Sequence, residues 1–345
     1  DAARRCTLVN AASALAISGY VSVARQFTRD AMRGGRGLAL DDEELVVALV
    51  GCAYTGRWGT AKALLALRDL HHGGGASGPN PSPNPYPNPD PNADPDPGVE
   101  TRLLLPEDDE AGDAEAALIV YERARSQVAG VARRQTRELL QPMVDELALY
   151  VVDAVWHQDS GAAIAMVDHL VSAGDIDIGS EVNALLMPGN VRARSACLRD
   201  LAAKAVAGEE AWRLDVSGMP DGCAKAALVW WLGMVLRPIA TEPSELAAEA
   251  ARGHIYVHTY ADGKAQQSIG PVGERETWTE AAAVKTPYAE VLGVLRQFGA
   301  PVEGRLGEPL GDVPPADGVI RIGGKIHAWE WVRAAPWVKT FGYDA

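Results

Sequence analysis

The sequence predicts an α-helical hairpin solenoid followed by an α/β sandwich, and three observations carry that prediction. Apolar residues recur at helical spacing through much of residues 1–209. Two breaks in that region, Gly19 and Gly56, lie 37 residues apart with a helical pattern on each side. A period of that size with two helices per unit belongs to a solenoid. From residue 210 onward the pattern changes to short apolar runs alternating with helical stretches, the order of a small mixed sheet covered by helices.

The first helical block, residues 1–72, reads as two hairpins. One runs from Thr7 to Ile17, breaks at Ser18-Gly19 and continues from Tyr20 to Met32. The other runs from Asp42 to Tyr54, breaks at Thr55-Gly56 and continues from Trp58 to Leu70. Residues 73–112 cannot extend this array, because proline alternates with Asn, Asp, Ser or Tyr from Pro79 to Pro97. Proline at every second position removes donors and fixes extended geometry, so this insert is expected to be disordered and rather stiff. A PxxP ligand role is disfavoured, since the alternation lacks a basic anchor. Helical patterning resumes over 113–209, with stripes at Ala116–Gln127, Gln135–Trp156, Ala162–Gly174 and Ala196–Ala207.

The α/β region spans residues 210–335, leaving 336–345 as a C-terminal tail. Its expected order is strand (Ala211–Val216), helix (Pro220–Leu236), insert, strand (His254–His258), loop, helix (Pro287–Phe298), Val302–Leu306, Gly318–Ile322 and a short helix Lys325–Arg333. On the helix from Pro220, residues Leu228, Trp231, Leu232 and Val235 form one stripe, which is expected to face the sheet.

The chain of 345 residues has a net charge of −14, but the charge is uneven. Residues 76–115 hold one basic residue against ten acidic ones, a balance of −9, and residues 1–75 come to +2. The insert carries most of the acidity, so nucleic-acid binding is not excluded, although no basic patch points to it. Cys6, Cys52, Cys197 and Cys223 lack metal-like spacing and suit a reducing compartment. No run of about 18 apolar residues predicts a membrane span. The chain starts at Asp1 without a Met and is expected to be a mature form or a fragment, with any targeting peptide outside it.

Chemistry concentrates at Leu214-Asp215-Val216-Ser217-Gly218-Met219, which reads as a strand end, a glycine turn and a helix start. A helix N-terminus exposes backbone N–H groups and a positive dipole end, which suits a phosphate. Asp215 is a candidate to orient a metal or water there, or else simply to cap the following helix.

These residues resemble the opening of a small MutS-related (SMR) domain, whose first strand typically carries Leu-Asp-x-His-Gly-Met. Ser217 stands where that family has its His. The family's second signature is matched by Thr259, Gly263 and Lys264 after the strand His254–His258, with one residue inserted and the first Gly missing. Leu295–Pro301 resembles its helix end, and Ile320-Arg321-Ile322-Gly323-Gly324 running into Trp329 and Trp331 resembles its closing strand and helix. The second hairpin, with its turn Thr55-Gly56-Arg57-Trp58 and its Ala61/Leu64/Leu65 stripe, resembles a pentatricopeptide (PPR) repeat. So does the Ala162–Gly174 stretch. Helical repeats followed by such a domain look like an organellar PPR–SMR protein of a plant or alga, with a plastid favoured over a mitochondrion.

The resemblance implies binding of RNA or an RNA-containing organellar complex, with further protein partners and no membrane. Gly218, Thr259, Gly263, Lys264 and Arg321 would contact nucleic acid, with Asn10 as the polar reader of the first repeat. At the equivalent reading positions, ten residues before each glycine, stand Val9 and Val46, which cannot hydrogen-bond a base edge. The family's nuclease members imply catalytic roles for Asp215 and Ser217 and a divalent metal such as Mg. Ser217 supplies no imidazole, however, and His254 and His258 are the alternative sources. Three functions are therefore in view: RNA binding in organellar gene expression without strong nuclease activity, a metal-dependent endonuclease, and a protein-interaction scaffold. No resident cofactor is expected.

Overall fold

A computed structural model describes residues 2–18, 20–32, 42–73, 114–173, 185, 191–259, 287–304, 310, 318–323 and 325–341. The proline-rich insert, Gly263 and Lys264 lie outside these residues. The chain is mostly helical, with one four-stranded mixed sheet in its C-terminal region. It divides into two compact units, one comprising Asp1–Leu147 and the other Ala148–Ser268 with Thr277–Ala345.

The first unit contains α1 (Ala2–Ile17), α2 (Val21–Met32), α3 (Asp42–Tyr54), α4 (Trp58–Gly73), α5 (Ala114–Gly130) and the first part of α6 (Arg134–Gln158). Helices pair in sequence order, α1 with α2 and α3 with α4, as hairpins should. The turn after α3 is a glycine-capped helix end. Gly56 sits at φ +71°, its N–H donates to Ala53 O at 3.0 Å, and Arg57 N–H donates to Cys52 O at 2.8 Å. A left-handed residue at this position satisfies the last carbonyls of the helix, and glycine adopts it without a Cβ clash.

α3 is more enclosed than a ligand-facing repeat helix is expected to be. Every residue from Leu45 to Ala53 is buried, and the helix touches α1, α4 and α5. A helix apolar all round sits inside a core, whereas an array helix keeps one side for solvent or ligand. The two valines in equivalent sequence positions differ accordingly: Val9 is 51 % exposed and Val46 is 0 %. Gly51 lets α3 approach α1, since a Cβ there would lie 3.0 Å from both Leu15 Cδ2 and Ser18 Oγ.

The second unit contains the end of α6, then α7 (Ser160–Ala173), α8 (Val191–Ala207), β1 (Trp212–Asp215) and α9 (Asp221–Trp231). A π-turn (Leu232–Leu236) leads into α10 (Arg237–Thr241), followed by α11 (Glu245–Ala250), β2 (Ile255–His258) and α12 (Tyr288–Gln297). β3 (Val302–Gly304), β4 (Val319–Ile322), α13 (Lys325–Ala334) and α14 (Trp337–Phe341) close the order. The helices before residue 210 thus do not all belong with the first block, because α7 packs on α9 and α8 packs on α11.

The sheet order is β1-β2-β4-β3, with β1 and β2 parallel and the other two pairs antiparallel. Parallel pairing requires a crossover, which α9 to α11 provide. Side chains alternate across the sheet. Trp212, Leu214, Ile255, Val257, Ile320 and Ile322 fall on one face, and all are buried. The expected one-sided stripe on α9 is replaced by burial of every residue from Gly222 to Trp231 except Lys225, because α7 and α12 also pack on this helix. The helix Asp221–Thr241 is long and apolar enough to cross a membrane, but 78 % of that window is buried inside the fold. Among the described residues it is the sole helix of that kind.

The π-turn has a local cause. Pro238 has no N–H, and its ring crowds the carbonyl four residues earlier. The helix widens just before it, with Arg237 N–H donating to Leu232 O. Two elements were absent from the sequence reading. α11 lies in the expected insert and is capped by Ser244, whose hydroxyl accepts Ala247 N–H at 3.1 Å. α14 lies in the expected tail, and its Trp337 is fully buried.

Candidate functional site

The second face of the sheet carries its charged residues, with Tyr256 and Val319 buried among them. Strand register puts Arg213, Tyr256, Arg321 and Glu303 in one row across β1, β2, β4 and β3. The next row holds Asp215 beside His258, then Val319. Arg321 donates to Glu303 Oε2 at 2.6 Å, so this expected nucleic-acid contact is held in an ion pair within the sheet. Gly323 makes that pair possible, because a Cβ there would fall 1.5 Å from Glu303 Oε1.

Asp215 and Ser217 form a closed local set. Asp215 Oδ1 accepts the Ser217 amide at 3.1 Å and the Ser217 hydroxyl at 2.5 Å, and Oδ2 accepts Arg213 at 2.8 Å. An aspartate bonding the amide two residues on is a turn-making device. Gly218 then takes φ +78°, which a residue with a side chain adopts only with strain, and Met219 N–H closes on Val216 O at 3.2 Å. Burial pushes the Asp215 carboxyl up, but the Ser217 hydroxyl and amide and the Arg213 guanidinium outweigh it, and the net shift is downward. The set remains open to solvent, with side-chain exposures of 49 % for Arg213 and 41 % for Asp215.

Asp215 does not cap α9. The residue before that helix is Pro220, without a side-chain cap. The helix N-terminus is served instead by Asp153 of α6, whose Oδ1 accepts Gly222 N–H at 2.6 Å. An internal carboxylate therefore occupies the place expected for a phosphate. A Cβ on Gly222 would lie 2.8 Å from that oxygen and 2.9 Å from Trp156 Cβ, so glycine is needed for the close approach.

Thr259 follows His258 at the same end of the parallel pair as Asp215, where Val216 N–H donates to His258 O at 2.9 Å. Its hydroxyl is turned inward, 1 % exposed, and donates to Gly318 O at 2.8 Å. It serves the strand end and is not available to a ligand. Asn10 lies within α1, where its backbone carbonyl accepts Arg57 at 3.0 Å and its side-chain Nδ2 donates to Cys6 Sγ at 3.9 Å.

Sequence reasoning missed Glu210. Its Oε2 lies 3.0 Å from His258 Nε2, and the two side chains are only 22 % and 12 % exposed. Burial lowers the His258 pKa, and the Arg213 charge adds to that; Glu210 and Asp215 act in the opposite direction. Adjacent acidic residues Glu209-Glu210 at the end of a helix gave no signal of a partner 48 residues away.

The metal that a nuclease would use finds a poor fit at Asp215. Both carboxylate oxygens already accept hydrogen bonds, one from Ser217 and the other from Arg213. Among the described residues no group of three or more His, Cys, Asp or Glu is placed to hold a metal ion. No known protein family, curated protein or solved structure matches this chain.

Proposed function

We propose that this protein binds RNA in organellar gene expression, as a PPR–SMR-like chain whose helical hairpins precede a sandwich with a charge-bearing sheet face. The observation that carries the reading is the sheet rim. The first signature, Asp215-Val216-Ser217-Gly218, ends β1 beside the end of β2, and Arg213 stands next to it on the same face, half exposed. Strand, helix, strand, helix and two closing strands, in the order read from the sequence, further support kinship with the SMR fold. For the hairpins, the support is the 37-residue spacing and the pairing of α1 with α2 and α3 with α4. Burial of Val46 leaves the second hairpin without a reader at that position. The contact surface is therefore assigned to the sheet unit.

The test is fluorescence anisotropy with single-stranded RNA across a range of salt. Binding should weaken as salt rises, and Arg213→Ala should lower affinity for all sequences and reduce the log–log salt slope by about 1. Salt-independent absence of binding would instead favour a protein-interaction scaffold.

A second reading, an endonuclease, is favoured by one specific observation. The imidazole missing at Ser217 is present one strand away, where His258 pairs in register with Asp215.

A further inference from the structure

We propose that Glu210 and His258 form a carboxylate–imidazole pair that activates water against a phosphodiester lodged at Arg213. This rests on the second reading and names the residues that would carry it. Four observations converge. His258 and Asp215 are register partners on neighbouring parallel strands, so their side chains leave the same face of the sheet. Glu210 holds His258 Nε2 at 3.0 Å, which fixes the ring as the third member of a catalytic set does. Arg213 lies two residues from Asp215 on that face and is paired with it. The Arg213–Asp215 side is open to solvent, while the imidazole is largely enclosed.

The charged groups acting on the ring are Arg213, Glu210 and Asp215, and its neighbour on β4 is the apolar Val319. Burial favours the neutral imidazole, the form that accepts a proton. In the step, His258 takes a proton from water as the water oxygen bonds to phosphorus. The bond from phosphorus to the departing oxygen breaks on the opposite side, solvent protonates that oxygen, and the imidazolium gives its proton back to solvent. Water is the sole co-reactant and no electrons are transferred. Arg213 supplies positive charge to the phosphoryl oxygens as negative charge builds on them. Asp215 is a positioning residue: it holds Arg213 and the Ser217 turn.

The experiment compares the full chain with His258→Ala and Glu210→Gln, scoring both binding and cleavage of end-labelled single-stranded RNA and DNA. His258→Ala should lower cleavage by about 100-fold or more while binding is unchanged, with partial rescue by added imidazole. Glu210→Gln removes a charge that raises the imidazole pKa, so the acidic limb of the pH–rate profile should move to lower pH. A merely structural Glu210 would leave that limb in place and overturn its role. Cleavage by His258→Ala at the wild-type rate overturns the proposal. Binding without cleavage by the wild type overturns it too, yet leaves the RNA-binding reading standing. Loss of both in the wild type removes both.

Discussion

The carboxylate of Asp153 accepts the amide of Gly222 at 2.6 Å across 69 residues of sequence. The buried helix α9 is thereby tied through its N-terminus to α6. Asp153→Ala should destabilise the second unit by about 1–2 kcal/mol, the cost of losing a helix cap. Gly222→Ala should cost about 1–3 kcal/mol through overpacking against Trp156. Urea denaturation measures both, and wild-type midpoints for the two variants would refute the linkage.

Gly323 and Glu303 should be coupled. A Cβ at residue 323 collides with the Glu303 side chain along its length, 2.4 Å from Cγ and 2.2 Å from Cδ. Gly323→Ala alone should therefore lose roughly 1–3 kcal/mol. In a Glu303→Ala background it should lose clearly less, giving a non-zero interaction energy in a double-mutant cycle. Additive effects would contradict the observed contact.

His258 imposes a direction on stability against pH. Its folded pKa is lowered, mainly by burial, so the unfolded chain binds more protons as pH falls past the ordinary imidazole value of 6.5. The stabilisation is complete above that value and is lost as pH drops through the lower, folded pKa. Denaturant midpoints measured from pH 7.5 to 5 should decline on the acidic side, and His258→Gln should flatten that decline. An unchanged slope in the variant would exclude His258 as its source.

The C-terminal helix should be structural. Trp337 is fully buried against Trp331 at 5.3 Å and Phe298 at 6.2 Å, and Phe341 extends the aromatic contacts to Trp156 at 5.3 Å. Trp337→Ala should cost about 3–5 kcal/mol. Thermal unfolding followed by near-UV circular dichroism checks this, and a variant as stable as the parent would return residues 336–345 to the status of a tail.

The strands and the two flanking helices of the sheet were legible because apolar alternation and glycine turns are local signals. The placing of Asp215 and Ser217 together at a strand end was legible for the same reason, but the hydrogen bonds between them were not, since a helix cap explained Asp215 equally well. What failed depended on long-range contacts. The α9 N-terminus has the local pattern of an anion site but is occupied by Asp153, and Thr259 has that of a rim residue but spends its hydroxyl on Gly318. α3 carries the pattern of a repeat helix, yet its neighbours bury it on all sides. The short helix at Ser244 was detectable, since Pro243-Ser244-Glu245 is a helix-start signature, but six residues made too weak a period to notice.

The sheet ends on β1 and β3, strands of four and three residues, and the second follows a proline. Edges so short offer an incoming strand only a few ladder hydrogen bonds, too few to seed the stacking that turns open sheets into fibres. Among the described residues, strand addition at these two edges is thus weakened by their shortness.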